Sequence, residues 1–276
     1  CSESGRNALK EKRVITSYLA GKNNGAVILS EDEGTSVLLN GEDHVRIQVL
    51  CNGMDIQSCF KKANEIDDYI DAHFDYAFDE KYGYKTTFPT NTGTGMKAGY
   101  TLHLPSLSDA RRLNDISAEL GRFGLKFRTV YGDGQNGYGN LYQISTQKTL
   151  GQDEREVIKD LDDIVLQIVN QEKEQREHFY KKDKIQMDDE IYKSYGVLKY
   201  ARKLSLKDSM VLISELMTGV SLGVLQFAHN GRYNINELIM DIQPAVLRQN
   251  SGKAMSVAET DVLRAEYIRK YLPEII

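Results

Sequence analysis

The sequence predicts an α+β fold, in which a largely antiparallel sheet flanked by helices is followed by a small all-α domain. Short β-rich runs in the first two-thirds are separated by turn residues and do not alternate regularly with helices, which favours antiparallel pairing. Helical periodicity appears between and after these runs. Residues 189–276 show helical patterns without a comparable strand signal. We therefore predict two domains, over residues 1–182 and 183–276.

The elements of the first domain follow from local patterns. Six segments are rich in β-forming residues and are predicted as strands: 26–30, 35–40, 45–50, 99–104, 125–131 and 140–146. The first three form an antiparallel meander, because EDEG and GEDH between them favour turns. Helices are predicted over 55–74, over 106–124 with its Ser/Asp start and closing Gly, and from Asp153 onward. The polar segment 181–188 is a candidate linker.

Composition excludes several classes of function. With 41% hydrophobic residues and only 4 Pro, the chain is typical of globular domains. A net charge of -5 argues against a nucleic-acid partner. The sequence contains neither an apolar run of about 20 residues nor a signal peptide, so we predict no membrane partner and a cytoplasmic location.

The three cysteines and the first residue carry a further indication. Cys1, Cys51 and Cys59 lack the spacing of a metal cluster and the number needed for a disulfide framework, which suits a reducing cytoplasm. The chain begins at Cys and not at Met, as a fragment lacking its natural N-terminus would.

Two glycine-rich segments resemble nucleotide-binding loops only in part. GDGQNG (132–137) matches GxGxxG, but the chain continues as a strand where a dinucleotide site requires a helix. NTGTGMK (91–97) lacks the GxxxxGK[ST] spacing of a P-loop. It is either a turn between two strands or an anion site, since its backbone N–H groups are unobstructed and Lys97 supplies a cation.

Three longer segments, NGEDHVRIQ (40–48), FPTNTGTGMKA (88–98) and RTVYGDGQNGYGNLYQIS (128–145), resemble in order and spacing the signatures NEEDHxRI, CPTNxGTGxRAS and RGxxGExxxxxGNxYxIS of the phosphagen kinases. These enzymes are ATP:guanidino phosphotransferases. The resemblance implies a phosphagen kinase/glutamine synthetase-like catalytic lobe over 1–182. Residues 192–205, 216–225 and 260–272 are similar to the C-terminal helical domain of bacterial protein arginine kinases. The family's N-terminal lobe, with its SSRxR motif, is not found in this sequence.

The resemblance assigns cations and nucleotide contacts. Arg46, Lys97 and Arg128 take the positions of phosphate-binding arginines, and Lys at 97 keeps the charge without the bidentate fork. Residues matching the family's ATP-binding segments are Ala98, Gly99, Tyr100, Thr101, Thr129, Val130, Tyr131 and Gly132. From the residues alone, without this resemblance, each of the three cations is interpreted as an ordinary surface charge at a strand end.

The resemblance also assigns the guanidinium side of the site. Glu42 takes the position of the base that holds the guanidinium, although it also suits a turn, and Asp133 stands where a second Glu is expected. The substrate loop comprises Phe88, Thr90, Asn91, Gly93 and Gly95, with Phe88 in place of a reactive Cys. An aromatic ring carries no negative charge, unlike a thiolate. In the same resemblance, Arg13 falls where relatives have a His beside the adenine.

A fourth motif lies in the helical domain. The family's phosphoarginine-binding RDxxRA appears as Thr260, Asp261, Val262, Leu263, Arg264 and Ala265, with Thr replacing the first Arg. Asp261 and Arg264 are either ligands of phosphoarginine or an i,i+3 ion pair on a helix.

These observations lead to two main hypotheses. The first is a protein arginine kinase that uses ATP and Mg²⁺ held through phosphates and water, acts on arginine-containing proteins, forms a homodimer and serves protein quality control with an activator or a chaperone–protease system. The alternative is a catalytically degenerate regulator that binds nucleotide or phosphoarginine proteins, as the four departures Phe88, Lys97, Asp133 and Thr260 would suggest. A kinase for free arginine is a third possibility, which the helical domain disfavours.

Overall fold

The computed structural model describes residues 1–133, 136–228 and 235–276, and the side chains of Asp133 and Asn136 lie outside the described part. It confirms the α+β class, with antiparallel sheets and flanking helices before a C-terminal part whose described elements are helices. No helix within the described ranges is both long and apolar enough to cross a membrane.

The first sheet is the predicted meander. Its three antiparallel strands, in the order β1-β2-β3, are β1 (Ala26–Leu29), β2 (Thr35–Leu39) and β3 (Val45–Val49). Two helices precede it, α1 (Glu3–Glu11) and α2 (Ser17–Ala20). A small core of Val14, Ile15, Leu19 and Leu38 joins α2 to the sheet. This packing fixes the turn between β2 and β3, which carries Glu42.

The segment between the sheets contains one helix and a hairpin. Helix α3 (Ile56–Asp71) corresponds to the predicted helix over 55–74, and β4 (Phe78–Asp79) pairs with β5 (Gly83–Tyr84). A short 3-10 helix over Pro89–Asn91 lies in the following loop. The structure also pairs Cys51 with Cys59 as a disulfide, with the Cα atoms 6.2 Å apart, whereas the sequence predicted no disulfide framework. Residue counts alone do not reveal that Cys51, before α3, and Cys59, in its first turns, face each other.

The second sheet has the order β6-β10-β7 and is antiparallel throughout. Its strands are β6 (Gly99–His103), β7 (Leu125–Thr129) and β10 (Leu141–Thr146), and a small hairpin pairs β8 (Gly132–Asp133) with β9 (Asn136–Gly137). One face is covered by α6 (Glu154–Lys182), whose buried residues Ile158, Leu161, Val165 and Ile168 share a core with those of the sheet.

The predicted helix over 106–124 is wrong as a single element. The chain forms α4 (Pro105–Asp109) and α5 (Leu113–Arg122), with Arg111 at a φ of 58° between them. At about 100° per residue, a continuous helix would place Leu107 and Ile116 on opposite sides. Both are buried in the same core, so the break turns α5 until both side chains reach it.

The C-terminal part packs around its own core. In the described residues it contains α7 (Lys184–Tyr200), α8 (Leu206–Ser221), α9 (Ile235–Asp241), α10 (Pro244–Ser251) and α11 (Val257–Tyr271). The segment 181–188 belongs to α6 and α7 apart from Asp183, so it does not form a separate linker. The domain boundary at 182/183 itself stays a prediction.

Helix α1 connects the first sheet to the helical part. The backbone N–H groups of Ala245 and Val246, at the start of α10, donate to Glu11 at 2.5 and 3.2 Å. A carboxylate at a helix N-terminus satisfies N–H groups that have no partner within the helix. Burial of this side chain raises the pKa of Glu11, and these two hydrogen bonds oppose the rise.

Candidate functional site

One face of the second sheet carries Arg128, one of the three predicted cations. Side chains alternate between the two faces of a strand, and this alternation places Lys126 and Arg128 of β7 on the exposed face. The cross-strand partners of Arg128 and Lys126 in β10 are Gln143 and Ser145. We call this surface the open face and define it by Gly99, Thr101, Lys126, Arg128, Gln143 and Ser145.

Arg128 is held in a fixed direction on the open face. Its Nε and Nη2 atoms donate to Oε1 of Gln143 at 2.8 and 2.5 Å. Lys126, which the motifs did not assign, lies two residues earlier on the same face. The alternation of side chains along β7 is the sequence signal that could have identified it, because residues 126 and 128 of one strand share a face.

Tyr100 lies on the other face. Its ring is buried, and its hydroxyl donates to Asp162 of α6 at 2.6 Å. Burial, together with this bond, raises the pKa of Tyr100 to about 12. Of the ATP-binding residues that the resemblance assigned to β6, Gly99 and Thr101 therefore face the open side, whereas the side chain of Tyr100 supports the sheet from below.

Lys97 connects the substrate loop to the first sheet. Its Nζ donates to Oδ1 of Asn91 at 2.5 Å. Partial burial lowers the pKa of Lys97, and the nearby positive charges of Arg46 and Lys126 lower it further, while Asp43 opposes them. Arg46 and Lys126 thus each lie close enough to Lys97 to repel its charge. Such a concentration of positive charge is favourable for an anion.

Arg46 is exposed on β3, and its Nη2 contacts Gln48 at 3.5 Å. The amide of Gln48 donates to the backbone carbonyl of Arg13 at 2.7 Å. The guanidinium of Arg13 in turn donates to the Val130 carbonyl at 3.1 Å and lies 5.3 Å from the ring centre of Tyr131. Arg13 therefore bridges the two sheets.

The bridge made by Arg13 is largely buried. Burial lowers the pKa of Arg13, and the charge of Arg128 lowers it as well, while Tyr131 acts in the opposite direction. Val130 and Tyr131, both assigned to ATP binding by the resemblance, pack against the core of the helical part. Thr129 is half-buried beside Gly137, and Gly132 has a φ of 103°.

Glu42 lies at the tip of the first sheet. Its Oε2 accepts a hydrogen bond of 3.0 Å from the hydroxyl of Thr16. The same hydroxyl accepts from the Leu19 N–H at 3.1 Å and so caps α2. Thr16 orients the carboxylate of Glu42, a role that the sequence did not predict.

Asp43 fastens the substrate loop to this tip. Its carboxylate accepts from the backbone N–H of Thr87 and from the Nδ2 of Asn91, both at 2.8 Å. Because Asn91 also accepts from Lys97, the chain of contacts runs from the Glu42 turn to the cations. Asp43 was missed because nothing in the sequence links it to a loop 44 residues later.

The rest of the substrate loop is held by backbone contacts. The Thr149 hydroxyl donates to the carbonyls of Thr90 and Thr92 at 3.3 and 2.6 Å. Gly93 has a φ of 116°, and a Cβ there would lie 2.2 Å from the Thr149 carbonyl oxygen, so only Gly fits. Gly95 also has a positive φ, of 66°.

At the front of the loop, Phe88 is 42% exposed and contacts Tyr18 edge to face, with ring centres 6.5 Å apart. At the back, Ala98 is bound to Thr146 through both its N–H and its carbonyl. The loop is thus anchored near both ends.

Three residues of the helical motif, Thr260, Arg264 and Ala265, are buried. Arg264 is 2% exposed and donates to the carbonyls of Ile242 and Leu204 and, at 2.5 Å, to Asp261. Thr260 accepts from Nε of Arg248 at 3.1 Å. Ala265 is fully buried. The structure therefore brings the four motif residues together, but Asp261 and Arg264 bind each other.

Asp133 and Mg²⁺ are two further predicted contributors to the site. Asp133 is paired with Asn136 in the β8–β9 hairpin, and its side chain lies outside the described part. Among the described residues, no group of three or more His, Cys, Asp or Glu side chains is arranged to hold a metal. The open face is cationic, so it would hold Mg²⁺ only indirectly. Phosphate oxygens and water would supply the ligands of the metal.

Comparison with known proteins agrees with this architecture. Residues 1–175 match the family described as ATP:guanido phosphotransferase, C-terminal catalytic domain. The chain belongs to this family. Residues 184–275 match the protein-arginine kinase McsB C-terminal domain.

Individual relatives point the same way. The chain is 40% identical over 267 residues to the protein-arginine kinases of Bacillus pumilus (strain SAFR-032) and Bacillus subtilis (strain 168). Each match covers 97% of this chain and 73% of the relative. The fold is similar to that of the duplicated taurocyamine kinase from Schistosoma mansoni with bound transition state analog components, with a TM-score of 0.55 and 20% identity. That match covers 62% of this chain and 25% of the other.

Proposed function

We propose that this chain transfers the γ-phosphoryl group of ATP to arginine side chains of proteins, with Mg²⁺ bound to the phosphates. The observation that carries the proposal is the chain of contacts from the Glu42 turn through Asp43 and Asn91 to Lys97. It supports a single site with a carboxylate at one end and phosphate-binding cations at the other. The protein-arginine kinases to which the chain is similar indicate the substrate class.

Phosphoryl transfer depends mainly on positioning and charge neutralisation. In the proposed reaction, Arg46, Lys97, Lys126 and Arg128 bind the triphosphate. Glu42, oriented by Thr16, holds the guanidinium and accepts the proton that its attacking nitrogen loses. The new N–P bond forms as the bond between the γ-phosphorus and the bridging oxygen breaks, and ADP leaves. Bound Mg²⁺ would neutralise charge on the phosphate oxygens.

The direct test is to incubate the protein with ATP, Mg²⁺ and casein and to detect acid-labile phosphoarginine by mass spectrometry at neutral pH. The variant Glu42→Gln keeps the shape and removes the proton acceptor. We expect it to form product at least ~100-fold more slowly, which is the usual contribution of a general base. If the protein without substitutions binds ATP but forms no phosphoarginine on casein, the proposal is contradicted.

The predicted partners and location complete this proposal. Arginine-containing proteins are the substrates, and a homodimer, an activator or chaperone–protease partner and a cytoplasmic location stay predictions. Analytical ultracentrifugation of the full chain tests the dimer, because monomer and dimer differ twofold in mass. A monomer at micromolar concentration would contradict the predicted homodimer.

A further inference from the structure

Two aromatic rings in mutual contact, Tyr18 and Phe88, lie in the segments that bind the Glu42 turn. The carboxylate of Asp43 accepts a hydrogen bond of 2.8 Å from the N–H of Thr87. Glu42 precedes Asp43 and Phe88 follows Thr87, so both are next to this contact in the chain. A second link comes from α2. Thr16, at its start, binds Glu42. Tyr18, two residues later, contacts Phe88 edge to face, with an angle of 88° between the ring planes.

These rings are not part of a core. Tyr18 is 47% exposed and Phe88 is 42% exposed. Phe88 lies in a loop of Thr, Asn and Gly, and neither ring belongs to one of the buried clusters of the described residues. The two rings are therefore accessible to a ligand.

The same corner already holds one cation. The ammonium of Lys22 lies 4.7 Å from the ring centre of Tyr18. It also donates to the carbonyls of Asn40 and Gly41, the two residues before Glu42, at 3.3 and 3.2 Å. An aromatic face attracts cations through its quadrupole. The Tyr18 ring and the two carbonyls thus hold a positive charge next to the Glu42 turn.

We propose that Tyr18 and Phe88 form an aromatic guanidinium-binding wall beside Glu42 and determine the specificity of the site for arginine. The inference rests on the proposed function and adds the mode of recognition. A guanidinium is planar and weakly hydrated and stacks on aromatic faces, whereas an ammonium is a compact and strongly hydrated charge. One carboxylate with two exposed rings therefore selects arginine over lysine, and over the uncharged isostere citrulline.

The test uses the full chain with a short peptide that contains one arginine and with the same peptide carrying citrulline or lysine at that position. Dissociation constants are measured by calorimetry for Phe88→Leu, Phe88→Tyr and Tyr18→Leu. We expect Phe88→Leu and Tyr18→Leu to weaken binding of the arginine peptide about 3- to 30-fold, the range of a partly desolvated cation–π contact. Phe88→Tyr should retain the affinity, because it retains the ring.

Tyr82→Leu is a matched control. Tyr82 is 49% exposed and has Lys81 at 5.2 Å from its ring centre, but it lies in the β4–β5 hairpin. Its replacement should leave the affinity for the arginine peptide unchanged. Circular dichroism before and after heating verifies that each variant folds like the unmodified protein.

Two results would overturn the aromatic wall. One is unchanged affinity for the arginine peptide in both leucine variants, and the other is equal weakening for the arginine and citrulline peptides. Measuring ATP affinity in the same samples separates this inference from the proposed function. If the protein binds the arginine peptide selectively, loses this binding with the rings and does not bind ATP, the kinase function is contradicted and the aromatic wall is supported.

Discussion

The open face of the second sheet and the buried motif of α11 both carry arginines that the sequence assigned to phosphate-containing ligands, but they hold them differently. Arg128 is exposed, and its hydrogen bonds to Gln143 fix its direction on the surface. Arg264 is 2% exposed and binds two carbonyls and Asp261. A motif therefore identifies a charged residue, whereas the fold decides whether that charge is available to a ligand.

The difference has an energetic origin. A buried charge is tolerated only when its hydrogen bonds are satisfied inside the protein, and removing its partners is costly. An exposed charge remains hydrated and can exchange water for a phosphate oxygen. We therefore expect substitutions in α11 to change stability and substitutions at the open face to change ligand affinity.

The largest effect is expected for Arg264→Met. The change leaves Asp261 and the carbonyls of Ile242 and Leu204 without their partner. Breaking a buried ion pair in this way costs about 3–5 kcal/mol, which urea unfolding monitored by circular dichroism measures. Arg128 is the exposed arginine of the pair, and Arg128→Ala should change the free energy of unfolding by less than about 0.5 kcal/mol. Equal losses in the two variants would contradict the comparison.

Asp43→Ala tests an intermediate case, a half-buried charge that is bonded and still belongs to the site. The substitution frees the N–H of Thr87 and the side chain of Asn91, which orients Lys97. A displacement of the loop by about 1 Å would reduce the rate of phosphoarginine formation about 100-fold.

Asp153→Ala is the matched control for Asp43→Ala. Asp153 also accepts two hydrogen bonds, from the N–H groups of Arg155 and Glu156, but it does so at the start of α6. Its loss should lower stability by about 1 kcal/mol and leave the rate unchanged. A normal rate in Asp43→Ala would show that the loop does not depend on this carboxylate.

Arg128→Ala addresses the open face itself. Loss of a charge-assisted hydrogen bond should weaken ATP binding about 10- to 100-fold, as measured by calorimetry with Mg²⁺ present. Arg122→Ala removes an exposed arginine at the end of α5 and should have no effect on ATP affinity. If both variants bind ATP equally well, the nucleotide does not contact Arg128.

The fold was predictable wherever a local pattern decides it. The meander over 26–50 was predicted correctly, because turn residues separate its strands. The break between α4 and α5 was missed, because it depends on where Leu107 and Ile116 must meet the core. The segment 181–188 was misjudged because its polar residues cover the outside of two helices.

The site shows the same division. Motifs within single segments predicted Glu42, Arg46 and Arg128, and their roles stay predictions. The residues that connect those segments were missed, among them Thr16 and Asp43, because their contacts join positions 26 and 44 residues apart. Such contacts are set by packing, which no local pattern encodes.

The smallest effect is expected for Lys97→Arg. This substitution replaces an ammonium by a guanidinium at the same position, so it tests the shape of the cation separately from its exposure. A guanidinium offers a planar fork to phosphate oxygens, whereas an ammonium acts as a point charge. Since Asn91 already directs the side chain at this position, we expect ATP to bind about threefold more tightly, or ~0.7 kcal/mol. Lys81→Arg, in the exposed β4–β5 hairpin, controls for the change of residue type. Weaker ATP binding in Lys97→Arg would mean that the loop is shaped for the smaller ammonium, and that Lys97 is adapted to its position.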